Sequence, residues 1–339
     1  MAETASPSIG SIYRPAPPAA ADRVIWPDNF GTRFTIMVDT EEEFDWSAPL
    51  SRDARTVSAI RALPEGHRRF ADRGVPLTYL IDHPIATNPV SIDVLREVLA
   101  DGRSAIGTQL HPWVSPPFDE ELTPANSFAG NLPASLEAAK LDILTDAITQ
   151  GFGAAPRVYR AGRYGIGPAT AALLASRGYR IDSSMRAAYD YSAEHGPDFR
   201  AIGNHAFHLG EVMELPLTTV FIGAARRGAA SLYDALGRIP KGRGLFARAG
   251  LLSRVALTPE DMPLADALEA IAVAVGQGVQ VLNFSFHSPS LAPGHTPYVR
   301  DTKDLAAFHH WWDKVLANLD RRGVRAASLD ELISAGIRA

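Results

Sequence analysis

Phe34-Thr35-Ile36-Met37-Val38 runs without a break into Asp39-Thr40-Glu41-Glu42-Glu43-Phe44-Asp45-Trp46. The first five residues are apolar or β-branched and predict a buried strand. The chain then carries five acids within seven residues, from Asp39 to Asp45. Alternation along an extended backbone puts Asp39 and Glu41 on one side, so the two carboxylates could share a cation. A solvated acidic turn is the simpler alternative, weakened by the abrupt placement after a buried strand.

Working outward, similar short apolar runs recur at 77–81, 105–110, 157–159, 179–181, 212–215, 279–286 and 324–327. Between most of them lie stretches with apolar residues at three- and four-residue steps, predicting helices over 56–73, 92–101, 132–151, 168–177, 263–276 and 305–322. Several of these stop at glycine, as at Gly102 and Gly323, where a left-handed residue closes the last turn. Strand then helix, repeated seven or eight times, predicts parallel pairing in a closed barrel or an open doubly wound sheet. Both gather functional groups beyond the strand C-termini. Residues 1–30, with Pro15, Pro17 and Pro18, read as an extended arm, and 31–339 as one catalytic domain. Residues 223–261 read as an excursion that could cover the site.

Composition narrows the chemistry. The 339 residues, 46% apolar, suffice for a large core. There is no cysteine, so any metal must be held by imidazole, carboxylate or amide. A net charge of −5 and a pI near 6.1 argue against a nucleic-acid binder. No segment approaches the roughly 20 apolar residues of a membrane span, and no basic start leads into an apolar stretch of the secretory kind. A cytoplasmic location is expected. The densest basic group, Arg226, Arg227, Arg238, Lys241, Arg243, Arg248 and Arg254, reads first as a solvated face, with an anionic substrate or lipid surface as the alternative.

Four more strand ends carry candidates. In Gln109-Leu110-His111-Pro112-Trp113 an amide and an imidazole face the same way if the strand persists. Arg160 and Arg163 flank a glycine in Tyr159-Arg160-Ala161-Gly162-Arg163-Tyr164, where a guanidinium could orient an acid such as Asp39. Asp182-Ser183-Ser184 could cap a helix. The last long strand ends in Phe286-His287-Ser288-Pro289, and imidazole there is suited to protonating a leaving group. His295 belongs to the ordered loop that follows.

This order of motifs, over roughly residues 32–335, resembles the polysaccharide deacetylases (NodB-type, carbohydrate esterase family 4), as a divergent member. The resemblance implies a distorted (β/α) barrel of about seven parallel strands. It implies metal-dependent removal of an acyl group, N-acetyl in the first instance, from a carbohydrate or other small acylated substrate. Carried over, it makes Asp39 the base, Glu41 and His111 metal ligands, Arg160 the residue that orients Asp39, and His287 the acid. Gln109 stands where a first histidine ligand is expected; Glu42, Glu43, Asp82 and His83 remain alternative ligands. Zinc is the implied cation, with cobalt, nickel or manganese as alternatives. Trp113, Arg163, Tyr164 and Asp182 are expected to contact substrate, with Trp46 beside them. Hydrolysis of a non-sugar amide or imide, and a non-catalytic barrel that has lost its metal, are the competing expectations.

Overall fold

The computed structural model describes residues 12–338; residues 1–11 of the expected arm lie outside them. Seven strands pair in parallel in the order 281–287, 33–40, 78–81, 105–110, 158–161, 181–182 and 212–214. Phe207–Leu209 adds an antiparallel strand at one end, and Arg325–Ala326 pairs beside the start of Arg33–Thr40. The two outer parallel strands do not pair directly. Instead Thr218 bridges them: its N–H donates to the Asn283 carbonyl (3.2 Å), its hydroxyl accepts from Asn283 N–H (2.9 Å), and Asn283 Nδ2 donates to the Leu215 carbonyl (3.0 Å). These bonds close a distorted barrel and exclude the open doubly wound sheet.

Every residue of Arg33–Thr40 is buried, as a strand flanked on both sides and covered on both faces requires. Helices cover the outer face through stripes spaced three or four residues apart. In Thr302–Arg321 the stripe is Phe308, Trp311, Trp312, Val315, Leu316 and Leu319, and the two tryptophans pack on Phe284 of the barrel, Trp311 edge on and Trp312 tilted. Each such fully buried side chain contributes roughly 1.5–3 kcal/mol over exposure. The helix predicted over 56–73 is two elements, a 3-10 turn Ser58–Ala62 and a helix Leu63–Ala71, because Pro64 can only begin a helix.

One end of the barrel is sealed. Val24, Trp26 and Phe30 pack with Leu329 and Leu332 beneath inward-facing Met37, Leu80, Val158 and Ile181. Val24–Ile25 also pairs antiparallel with Ile337–Arg338. Of the segment expected as an arm, residues 24–30 therefore form part of the barrel floor.

The excursion is a lobe with its own fold. Thr219–Ile222 and Ser253–Ala256 form an antiparallel pair carrying helices Ala229–Gly237 and Gly242–Arg248 around a small core of Ala229, Leu236 and Leu252. Among the described residues no helix is long and apolar enough to cross a membrane.

Candidate active site

The open end of the barrel holds a cleft of about 620 Å³. Strand register assembles its floor: His287 lies beside Asp39, and Gln109 beside Arg160. The predicted residues Asp39, Glu41, Gln109, His111, Arg160 and His287 all line it.

Asp39 is held from one side. Arg160, 1% exposed, donates from Nη1 to Asp39 Oδ1 (2.5 Å) and from Nε to the Ser183 carbonyl (2.9 Å). The guanidinium is thereby locked to the backbone and fixes the carboxylate. Asp39 Oδ2 faces His287 Nε2 at 3.9 Å, and Glu41 Oε1 lies 4.0 Å from the same nitrogen. Those gaps are too long for direct hydrogen bonds and suit a bridging atom.

His287 is held from the other side by Glu260, which accepts from His287 N–H (3.0 Å) and pairs with Nδ1 (2.7 Å). Burial alone would lower the imidazole pKa. The Glu260, Glu41 and Asp39 carboxylates outweigh it and push His287 up to about 10, so the ring is protonated at neutral pH.

Glu41, His111 and Gln109 converge between these two pairs. Glu41 Oε2 lies 3.5 Å from His111 Nε2 and accepts from Gln109 Nε2 at 3.3 Å. His111 Nδ1 pairs with Glu42 Oε2 (2.8 Å); with its proton there, Nε2 presents a lone pair toward Glu41. Gln109 Oε1 is buried with no partner. Burial raises Glu41 to about 8 against the lowering effect of His287 and His111. An orphaned amide oxygen, a bare imidazole nitrogen and a destabilised carboxylate fit a divalent cation. Gly162 makes room for His111, since a Cβ there would lie 2.3 Å from His111 Cδ2.

The alternative ligands are placed differently. Glu42, Asp82 and His111 form a buried triad whose spacing could hold a metal ion. Both Glu42 oxygens are nevertheless committed, to His111 Nδ1 and to Trp113 Nε1 (2.7 Å), and both Asp82 oxygens accept backbone N–H groups, of Glu42 and Ile85. Neither acid lines the cleft. Burial drives Asp82 well above the carboxylate range, so this triad serves as hydrogen-bonded support for His111. Glu43 is spent on Ser58 and on Ala59 N–H (2.5 Å).

The expected substrate contacts divide. Tyr164 and Arg163 line the cleft, with Arg163 paired to Glu194, and both take left-handed backbone (φ 61° and 54°). Trp113 reaches the cleft but is 2% exposed and stacks on His111 at 4.3 Å, so it braces the imidazole instead of offering an open platform. Asp182 is not brought to the cleft. It sits buried among Ser184 and Glu214, raised to about 6 by burial and relieved by Ser184, because it follows inward-facing Ile181 and so points to the opposite, helix-covered face of its strand, as its register partner Tyr159 does. Glu260, Arg186 and Tyr191 were not anticipated; the only hint was that the excursion containing Glu260 could reach the site.

No protein-family model and no curated protein matches the sequence. Solved structures do share its fold. A protein assigned as a polysaccharide deacetylase from Mycobacterium smegmatis is 18% identical, with 95% of this chain and 94% of that one covered at a TM-score of 0.51. The PuuE allantoinase is 15% identical over 91% of each chain, TM-score 0.52. A 4-α-glucanotransferase from Thermococcus litoralis is 12% identical over 90% of this chain and 40% of that one, TM-score 0.50. At such identities the likeness establishes the barrel, and one barrel hosts several reactions.

Proposed function

We propose, starting from a divergent barrel of the polysaccharide-deacetylase type, that the chain is a metal-dependent hydrolase that cleaves an acyl group, N-acetyl foremost, from a sugar-like substrate. One observation carries this: a fixed acid, Asp39, and a protonated imidazole, His287, face each other across Glu41, His111 and Gln109. Glu41, His111 and the Gln109 carbonyl would hold the cation. A divalent ion bound there supplies Lewis acidity to an acyl oxygen and acidifies water.

The chain's own groups divide the remaining work. Arg160 occupies Asp39 Oδ1 and leaves Oδ2 free to take a proton from the attacking water. His287 carries its proton on the opposite side and delivers it to the departing amine, with Glu260 fixing the ring through Nδ1 so that Nε2 is the donor. Trp46, 38% exposed, and Tyr298 form an aromatic rim suited to stacking on a sugar face. The comparable fold likeness to an allantoinase supports cleavage of a non-sugar C–N bond as the second reading.

The test is acetate release from N-acetylated oligosaccharides, before and after chelation and with zinc, cobalt, nickel or manganese restored. Asp39→Asn is expected to lower turnover about 100-fold or more while cation affinity by calorimetry changes less than about tenfold. Failure to bind any of the four cations sinks the mechanism. Cation binding with hydrolysis of cyclic amides, but of no acylated sugar, selects the second reading.

A further inference from the structure

The lobe spanning residues 223–254 has a charge opposite to the rest of the molecule. It holds seven Lys and Arg residues against one acid, a local +6 in a chain of net −5, which leaves −11 elsewhere. The one acid, Asp234, is engaged by Arg200 at 3.5 Å. Arg243 and Arg254 are used internally, over the rings of Tyr233 and Tyr189 at 4.3 and 3.5 Å. Arg226, Arg227, Arg238, Lys241 and Arg248 are exposed, and none has a carboxylate partner among the described residues.

The same lobe exposes apolar side chains that its small core does not use. Ile239 is 56% exposed, Leu245 66% and Leu251 39%, three of the seven large hydrophobics exposed in the described chain, all within thirteen residues. Helix Gly242–Arg248 shows how this arises. Gly242 and Phe246 turn inward, Phe246 onto the small core. Lys241, Leu245 and Arg248, at steps of four and three, then share the outer face. Ile239 and Leu251 flank that face at its two ends. The result is a crest of alternating cation and aliphatic side chain, where a solvated face would carry charges alone.

Physical chemistry selects the occupant. Nucleic-acid phosphates would satisfy the cations and leave the aliphatic crest in water. A second copy docked lobe to lobe would bring +6 against +6, and one docked through its acidic remainder would pair the cations but give the aliphatic crest no apolar bed. An anionic bilayer surface answers both features at once, since phosphates attract the cations and the headgroup boundary accepts the aliphatic tips. We propose that this lobe docks on an anionic lipid surface, with Ile239, Leu245 and Leu251 inserted and Arg226, Arg227, Arg238, Lys241 and Arg248 against lipid phosphates. The inference is independent of the proposed hydrolase chemistry.

Sedimentation of the full chain with vesicles tests it. Vesicles of phosphatidylcholine mixed with phosphatidylglycerol should bind at least about tenfold more tightly than phosphatidylcholine alone, and added salt should weaken that binding. Neutralising a surface cation lowers partitioning about fivefold, so the double variant Lys241→Gln, Arg248→Gln should lose about 25-fold. Leu245→Ser should weaken binding about tenfold or more with the thermal midpoint unchanged, which separates docking from unfolding. Equal binding to both vesicle types, or variants that bind as the parent does, overturns the proposal. Absence of vesicle binding, with DNA, an acidic peptide or a second copy bound in a Leu245-dependent way, overturns it in favour of that partner.

Discussion

Glu137 offers a test of how this barrel handles a buried acid away from the cleft. It lies on helix Ala134–Phe152, 2% exposed, with one partner, the Thr170 hydroxyl, which donates to it at 2.6 Å. Burial raises its pKa to about 7 from an ordinary 4.5, against the smaller lowering by Thr170. A carboxyl whose folded-state pKa lies above its unfolded value costs nothing below about pH 4.5. Its cost grows between pH 4.5 and 7 and is complete above 7. The difference in pKa amounts to about 3 kcal/mol at alkaline pH. Glu137→Gln keeps the shape and the acceptor but cannot ionise. The variant should therefore be about 1–3 kcal/mol more stable than the parent at pH 8, after about 1 kcal/mol is lost to a buried amide, and no more stable at pH 5. Urea unfolding at the two pH values measures both. A stability difference independent of pH, or a variant destabilised at pH 8, refutes the reasoning.

Two further predictions concern the cleft. Gly162→Ala places a methyl 2.3 Å from His111 Cδ2 and 2.9 Å from the Leu110 carbonyl; it should cost about 1–3 kcal/mol of stability and, by displacing His111, lower zinc affinity about tenfold or more, read by thermal melting and calorimetry. Glu260→Gln keeps a partner for His287 but removes a charge that raises its pKa. In the metal-free protein the imidazole should then titrate below about 10, by one to three pH units, in an NMR titration; an unshifted midpoint refutes the assignment of Glu260.

Much of the site was legible because it is built at strand ends. Asp39, Gln109, His111, Arg160 and His287 each follow an apolar run, and period-two alternation correctly paired Asp39 with Glu41 and Gln109 with His111 on the cleft side. Alternation could not choose among Glu41, Glu42 and Glu43, since regular extension stops at Thr40 and hydrogen bonds decide the rest. Asp182 misled because a strand-terminal acid reads alike on either face of a strand buried on both sides, and here Ile181 takes the inward face and leaves Asp182 the outer one. Glu260 was invisible for another reason: it lies 27 residues from His287 in a loop without periodicity, so only tertiary structure brings the two together. The aromatic anchors Trp26 and Phe30 sit among prolines and small residues that read as an arm, and packing against the barrel floor overrode that local pattern.

The seam beside Arg33–Thr40 has a consequence for synthesis on the ribosome. The first barrel strand receives one neighbour early, from Thr78–Ile81, but its other, Val281–His287, is made some 240 residues later. A nascent chain that has emerged to residue 250 thus contains Glu41, Gln109, His111 and Arg160, yet displays the bare edge of a strand whose centre, Ile36-Met37-Val38, is apolar, and lacks His287. For that interval the molecule is a client for chaperones before it is a candidate enzyme, and the strand that then covers most of the bare edge is the one that delivers His287.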